Sequence, residues 1–203
     1  MKDFQGKVCY KVRGWQLRLL GLFSTILLKI ELIIKGVKFA DGLKSWGKTI
    51  VVKYPESNIV FAKNCRFRSD GSSNLIGIAR KCIISTHSKQ AQIIIGTNCG
   101  FSGTSIGAKE KIIIGDNVIC GANSLITDFD WHGINPAERR TYNGDSKPII
   151  IENNVFIGYG SVVLKGVTIG ENSVIGANSV VTRSIPANVI AGGNPCKVIK
   201  QLN

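Results

Sequence analysis

Residues 151–186 read IENNVF, IGYGSV, VLKGVT, IGENSV, IGANSV and VTRSIP when the chain is divided every six residues. The first position is always aliphatic: Ile151, Ile157, Val163, Ile169, Ile175 and Val181. The fifth position is small or β-branched: Val155, Ser161, Val167, Ser173, Ser179 and Ile185. A period of six does not fit a helix of about 3.6 residues per turn. It predicts short strands joined by tight corners, three per coil, with the aliphatic residues inside a prism.

The same phase continues upstream in a weaker form. Hexapeptides open at Ile114 and Ile95, and further upstream at Ile78 and Phe61. Coils that begin at Phe61, Ile78 and Ile95 would be 17, 17 and 19 residues long. The fifth positions of three of these hexapeptides are cysteines, which we expect to form one internal column of core thiols: Cys65, Cys82 and Cys99.

The phase breaks strongly at one place, residues 128–148, which read DFDWHGINPAERRTYNGDSKP. This stretch is polar and contains glycine, proline and two arginines. An interruption of a regular solenoid predicts a loop that protrudes from one coil. Loops on rigid scaffolds are where binding and catalytic residues concentrate, so we expect the functional site here.

The chain before the repeats is predicted to be helical. We divide the chain into an N-terminal helical segment, residues 1–48, and a β-helix domain, residues 49–203. Residues 15–37 are apolar on several faces but carry Arg18, Lys29, Glu31 and Lys35, which makes them a poor membrane-spanning helix. Two interpretations stay open: a helix packed on the protein or on a neighbouring subunit, and an interfacial helix with basic residues towards anionic lipid.

The charge, cysteine and histidine content of the chain limits which partners, compartment and metal chemistry we expect. The net charge of +13 indicates an anionic partner, but the chain has no CxxC pair and no nucleic-acid-binding motif, so we expect no nucleic acid. The six cysteines and the absence of a signal-peptide pattern predict free thiols in a reducing cytoplasm. With only two histidines and no CxxC, a metal site is not expected.

His132 is the candidate general base, because it lies at the root of the protruding loop and a histidine titrates near neutral pH. A carboxylate bonded to its other ring nitrogen would fix the tautomer. Asp130, Asp128 and Asp116 are the candidates, with Asp130 assigned to the catalytic pair. His87 is interpreted as structural or solvated. No GxSxG serine or catalytic cysteine is evident, so direct transfer is preferred to a covalent intermediate.

From about Phe61 onward the chain resembles the left-handed β-helix acetyltransferases, above all the galactoside/maltose and xenobiotic branch. The matching run is IENNVFIGYGSVVLKGVTIGENSVIGANSVVTRSIPANVIAGGNPCKVIK, and the DFDWH stretch is similar to sugar and polysaccharide acetyltransferases. The fold class implied is all-β: a left-handed parallel β-helix with an N-terminal helical segment and a short C-terminal tail. The resemblance also implies a homotrimer with each site between two solenoids.

The resemblance implies roles residue by residue. His132 matches the family's catalytic histidine. Acetyl-CoA is the expected co-substrate, and the residues matching its contacts are Gly158, Tyr159, Ala177, Thr182, Arg183, Lys197 and Lys200. The residues assigned to the acceptor are Ser102, Trp131 and Arg139. Ser102 stands where galactoside-type relatives carry an asparagine that contacts the acceptor, so this sequence departs from that branch at this position.

The expected function is acetyl transfer from acetyl-CoA to a hydroxyl of a sugar in a surface glycan or its precursor. Two alternatives are kept: an N-acetyltransferase acting on an amino sugar or an antibiotic, and a non-catalytic hexapeptide scaffold. We expect a cytoplasmic protein, with peripheral membrane association through the N-terminal segment as an open interpretation.

Overall fold

The computed structural model describes residues 3–141 and 144–202. Helix α1 spans Phe4–Ile34, and a short 3-10 turn spans Gly71–Ser73. The strands follow in chain order: β1 (Lys38–Phe39), β2 (Lys44–Trp46), β3 (Ile50–Val52), β4 (Asn58–Phe61), β5 (Arg66–Arg68), β6 (Ile83–Thr86), β7 (Gln92–Ile95), β8 (Gly100–Ser102), β9 (Ser105–Ala108), β10 (Lys111–Ile114), β11 (Ile119–Cys120), β12 (Leu125–Thr127), β13 (Ile149–Ile151), β14 (Phe156–Ile157), β15 (Val162–Val163), β16 (Thr168–Ile169), β17 (Val174–Ile175), β18 (Val180–Val181), β19 (Val189–Gly192) and β20 (Lys197–Gln201).

The strands form three sheets, and each strand up to β15 pairs in parallel with the strand three places further along the chain. Sheet A contains β1, β4, β7, β10, β13 and β16. Sheet B contains β2, β5, β8, β11, β14, β17, β19 and β20, and sheet C contains β3, β6, β9, β12, β15 and β18. This topology is a three-sided parallel β-helix, and we name its edges the A–B, B–C and C–A corners.

The hexapeptide positions fill the core as predicted. All six first-position residues from Ile151 to Val181 are completely buried. The fifth-position residues lie at the corners and are also buried. Hydroxyls buried there are satisfied by main-chain groups, as where Ser161 Oγ donates to the carbonyl of Gly176 at 2.9 Å. A small residue at this position therefore leaves room for the chain to turn while its polar atom keeps a partner.

The prediction of a coil opening at Ile78 is wrong. Phe61 pairs directly with Ile95, so the chain makes one coil between them. The extra length is an excursion of residues 69–82 between β5 and β6, at the B–C corner. The spacings from Phe61 to Ile78 and from Ile78 to Ile95 each resemble the length of one coil, but together they contain a single coil and this excursion. The loop at 128–148 is therefore not the single break in the solenoid.

The prediction that three cysteines form one column is also wrong, because Cys82 lies at a different corner from Cys65 and Cys99. Cys65 and Cys99 occupy the same column at the A–B corner, where the amide of Arg66 donates to the carbonyl of Cys99. Cys82 instead lies at the B–C corner, and the amide of Ile83 donates to the carbonyl of Thr104. All three are buried free thiols, and burial raises the pKa of Cys65 to about 12 and that of Cys99 to about 11.

Helix α1 covers the first coil of the solenoid. Thr25 Oγ1 accepts a hydrogen bond from the amide of Ser45 at 2.9 Å, and Ser24 Oγ accepts one from the amide of Gly47 at 3.0 Å. Strands β1 and β2 precede residue 48, so the solenoid strands begin earlier in the chain than the predicted boundary. The division of the chain into two domains stays a prediction.

The A–B corner carries a ladder of asparagines. Five hydrogen bonds of 2.8–3.1 Å join the amide side chains of successive coils, and each residue has a φ near +60°. Asparagine tolerates this left-handed conformation better than other residues with a Cβ. The members are Asn64, Asn98, Asn117, Asn154, Asn172 and Asn188.

We expect Asn154→Ala to lower the free energy of unfolding by about 2 kcal/mol, because alanine is strained at positive φ and cannot bond to either neighbouring rung. Asn154→Gly should lose about half as much, since glycine adopts the conformation freely. Urea denaturation of both variants measures the difference. Equal losses would mean that backbone strain makes no contribution at this corner.

Candidate active site

The protruding loop is anchored by Asp128, which follows β12 directly. Its side chain is completely buried and accepts hydrogen bonds from the amides of Lys109, Glu110 and Lys111 at 2.7, 2.9 and 2.6 Å. Burial raises the pKa of Asp128, and the three N–H groups oppose that shift. The carboxylate therefore holds the start of the loop to the C–A corner of the previous coil.

The base of the loop is a short antiparallel stem. Phe129 forms a β-bridge with Ser146, and the amide of Asp130 donates to the carbonyl of Asp145 at 3.1 Å. The amide of Lys147 then donates to the carbonyl of Asp128 at 2.8 Å. The loop therefore leaves and rejoins the solenoid at one point.

An aromatic cluster lies under the stem. The rings of His87, Phe129 and Trp131 have centroids 4.7–5.0 Å apart. Gly107 makes room for the cluster, since a Cβ there would lie 3.1 Å from the Trp131 ring. Burial lowers the pKa of His87, with Asp128 opposing. His87 therefore supports the loop, which agrees with the structural one of its two interpretations, although the sequence did not indicate its aromatic partners.

His132 is exposed at the end of this stem. Its Nδ1 lies 3.1 Å from the carbonyl oxygen of Arg139. A carbonyl can only accept, so Nδ1 carries the proton in this hydrogen bond. In the neutral ring Nε2 then holds the free lone pair, which is the protonation state that a general base requires.

The three candidate carboxylates have other partners. Asp130 forms an ion pair with Lys165, and both side chains are partly exposed. Asp128 accepts from the three amides described above, and Asp116 lies at the A–B corner and accepts from the amide of Thr97 at 2.5 Å. Within residues 3–141 and 144–202, none of them is hydrogen-bonded to His132. The catalytic role assigned to Asp130 stays a prediction.

The residues predicted to contact acetyl-CoA fall into two groups. Gly158, Tyr159 and Ala177 lie on successive coils of the B–C corner, where the amides of Tyr159 and Ala177 have no acceptor among the described residues. A Cβ on Gly158 would lie 2.6 Å from the nitrogen of Ala177, so only glycine allows the coils to stack this closely. Lys197 pairs with Gly192 near the same corner.

The remaining predicted contacts lie elsewhere on the solenoid. Thr182 and Arg183 follow β18 at the C–A corner and are exposed. Lys200 lies opposite Ile190 on sheet B and is also exposed. Within one protomer, the open amides and the His132 loop thus stand at different corners of the prism.

The predicted acceptor residues are not all brought together. Trp131 and Arg139 belong to the His132 loop, whereas Ser102 ends β8 at the B–C corner. Ser102 Oγ accepts a hydrogen bond from Asn74 Nδ2 at 3.1 Å. Both residues line a groove of about 430 Å³ that also contains Arg66 and Arg68. The excursion at 69–82 therefore contributes to a basic groove that the repeat pattern did not predict.

In the described part of the chain, no group of three or more histidine, cysteine, aspartate or glutamate side chains could hold a metal ion.

Comparison with known proteins agrees with the repeat and the topology. The family model "Hexapeptide repeat of succinyl-transferase" matches residues 111–135 and 148–183. A galactoside O-acetyltransferase of Escherichia coli is 47% identical over 92 residues, 45% of each chain. The galactoside O-acetyltransferase of Lactococcus lactis is 46% identical over 92 residues, 45% of this chain and 44% of its own length. The matched segment therefore spans less than half of these curated relatives.

Structural comparison gives the same fold. A mutant of AntD, an N-acyltransferase from Bacillus cereus, solved with a dTDP-amino sugar and coenzyme A, superposes with a TM-score of 0.66 at 20% identity, covering 86% of this chain and 89% of AntD. The fold and the repeats define a hexapeptide-repeat protein. The hexapeptide-repeat region of the chain is thus similar in sequence to proteins named galactoside O-acetyltransferases.

Proposed function

We propose that this protein is an acetyl-CoA-dependent O-acetyltransferase that acts on a hydroxyl group of a sugar, in a surface glycan or its precursor. The observation that carries the proposal is the hydrogen bond between His132 Nδ1 and the carbonyl of Arg139, which leaves Nε2 as a base on an exposed loop. The galactoside O-acetyltransferases among the relatives support a sugar hydroxyl as the acceptor.

The residues present fit acetyl-CoA as a substrate. The open amides of Tyr159 and Ala177 offer hydrogen-bond donors to the pantetheine arm and to the thioester oxygen. Arg183, Lys197 and Lys200 are exposed cations that could meet the phosphates of the donor. The bound thioester supplies an acetyl group that is activated for direct transfer.

In the proposed mechanism, His132 Nε2 removes the proton of the acceptor hydroxyl as its oxygen attacks the acetyl carbonyl carbon. The amide of Tyr159 donates to the carbonyl oxygen, where negative charge develops. The carbonyl of Arg139 stabilises the imidazolium, which then returns the proton to the leaving thiolate. Asp130, bound to Lys165, fixes the stem from which His132 extends.

A second protomer would complete the site. Because His132 and the open amides stand at different corners of one prism, we propose that the loop of one protomer meets the B–C corner of its neighbour, in a homotrimer. We infer that the coils have the left-handed sense of the family. The cytoplasmic location stays a prediction.

The test is thiol release from acetyl-CoA with a panel of neutral sugars and the matching amino sugars. We expect acetyl esters on at least one neutral sugar. Transfer to amines alone, with a rate that follows amine deprotonation, would favour the N-acetyltransferase instead. If calorimetry detects no binding of coenzyme A, the non-catalytic scaffold is favoured and the proposal fails.

A further inference from the structure

The outward face of helix α1 carries a long apolar stripe. Its side chains recur every three or four residues, which places them on one face of the helix. Each is at least 43% exposed, and the stripe follows the helix for about 46 Å. The members are Phe4, Val8, Val12, Trp15, Leu19, Leu22, Phe23, Ile26, Ile30, Ile33 and Ile34.

The opposite face of α1 is already occupied by the solenoid. Leu28 and Leu32 are buried in the core, and Ser24 and Thr25 bond to the first coil. The helix is therefore held with its apolar stripe directed away from the rest of the protomer.

A row of cations borders the stripe. Lys7, Lys11, Arg18 and Lys29 fall within about 40° of one another around the helix axis, on one flank of the stripe. Arg18 also lies 5.8 Å from the centroid of the Trp15 ring. The carboxylate of α1, Glu31, is paired with Lys35 on the side towards the solenoid. The exposed surface of the helix is therefore apolar and cationic, without negative charge.

We propose that α1 lies in the plane of an anionic lipid bilayer, with the stripe inserted among the acyl chains and the cation row on the headgroups. No helix in the described part of the chain is long and apolar enough to cross a membrane, so α1 would bind parallel to the surface. Aromatic and aliphatic residues on one face with lysine and arginine beside them are typical of interfacial helices.

Charge decides between a bilayer and a second copy of this chain. Two copies packed antiparallel and stripe to stripe would bring their cation rows together without carboxylates to oppose them, which is unfavourable at the flanks of a helix pair, and a parallel pair would leave both rows without opposing carboxylates. An anionic membrane surface attracts the same cations. The net charge of +13 adds to that attraction.

The test is co-sedimentation of the full chain with vesicles of phosphatidylcholine alone and of phosphatidylcholine mixed with phosphatidylglycerol. We expect binding to the anionic vesicles only, weakened by salt. Leu19→Gln with Phe23→Gln should reduce binding by roughly tenfold or more, since two large apolar side chains no longer insert. Lys7→Gln with Lys11→Gln should reduce it about tenfold through lost attraction to the headgroups.

Matched controls use exposed residues outside α1. Leu75→Gln with Ile76→Gln should bind as the unchanged chain does, and Lys63→Gln with Lys81→Gln should weaken binding much less than Lys7→Gln with Lys11→Gln, although both lose two charges. Circular dichroism confirms that each variant is folded. Absence of binding to anionic vesicles, or equal binding by the stripe variant, would overturn the proposal. So would a stripe variant that only reduces the oligomer mass, because a second copy would then cover the stripe. Acetyl transfer is measured separately, so this result is independent of the proposed function.

Discussion

Replacing His132 by alanine is expected to lower kcat for acetyl transfer by about 100- to 10,000-fold, the usual contribution of a general base. The affinity for coenzyme A should stay nearly unchanged, because the open amides at the B–C corner belong to other coils. Steady-state kinetics and calorimetry measure the two quantities. Glu138→Gln, an exposed change on the same loop, is the control and should retain its rate. A His132→Ala protein with full activity would exclude the proposed mechanism.

Asp130→Asn separates two ways of supporting His132. With Nδ1 already bonded to the carbonyl of Arg139, loss of the carboxylate should lower kcat far less than loss of the imidazole. The expected cause of any decrease is a looser stem, because the ion pair with Lys165 is broken. A decrease as large as that of His132→Ala would instead make Asp130 the direct partner of the base.

Asp128→Ala is expected to lower the free energy of unfolding by about 3 kcal/mol, because it leaves the amides of Lys109, Glu110 and Lys111 without their acceptor. Activity should fall as well, since the loop root is no longer attached to the preceding coil. Urea denaturation followed by circular dichroism measures the stability. The free energy of unfolding of Asp128→Asn should lie between those of the unchanged protein and Asp128→Ala, because the amide oxygen can still accept some of the three hydrogen bonds.

Asp116→Ala is the matched control for Asp128. It removes the same side chain from an exposed corner of the same solenoid, where the carboxylate accepts from the amide of Thr97. Water can replace that partner, so a loss below about 1 kcal/mol is expected. If both variants lose the same stability, the buried position of Asp128 would not be the cause of its effect.

Sequence periodicity predicted the solenoid most accurately where no residue is inserted. From Ile151 to Val181 each first-position residue is inside, because a parallel coil of constant length repeats the same environment. The interpretation of Ile78 was wrong because two equal steps of 17 residues imitate two coils, although Phe61 pairs with Ile95. Periodicity measures only residue counts, whereas pairing depends on which strands meet in space.

The candidate site was predictable only in part. His132 and the boundaries of its loop followed from the interruption of the repeat. The contacts of His87 with Trp131, and of Lys165 with Asp130, join residues 35 or more positions apart that carry no common motif. The carbonyl of Arg139 is a main-chain group, so its role at His132 could not be inferred from residue type.

The way helix α1 meets the first coil also bears on aggregation. A stack of parallel coils ends in strand edges whose free N–H and C=O groups are templates for another strand. At the first coil, α1 side chains occupy the amides of Ser45 and Gly47, and Lys35 reaches the carbonyl of Val51. At the other end, β20 adds antiparallel to β19, so another parallel coil cannot continue sheet B. The same helix that offers an apolar stripe thus protects the molecule against end-to-end polymerisation into fibres.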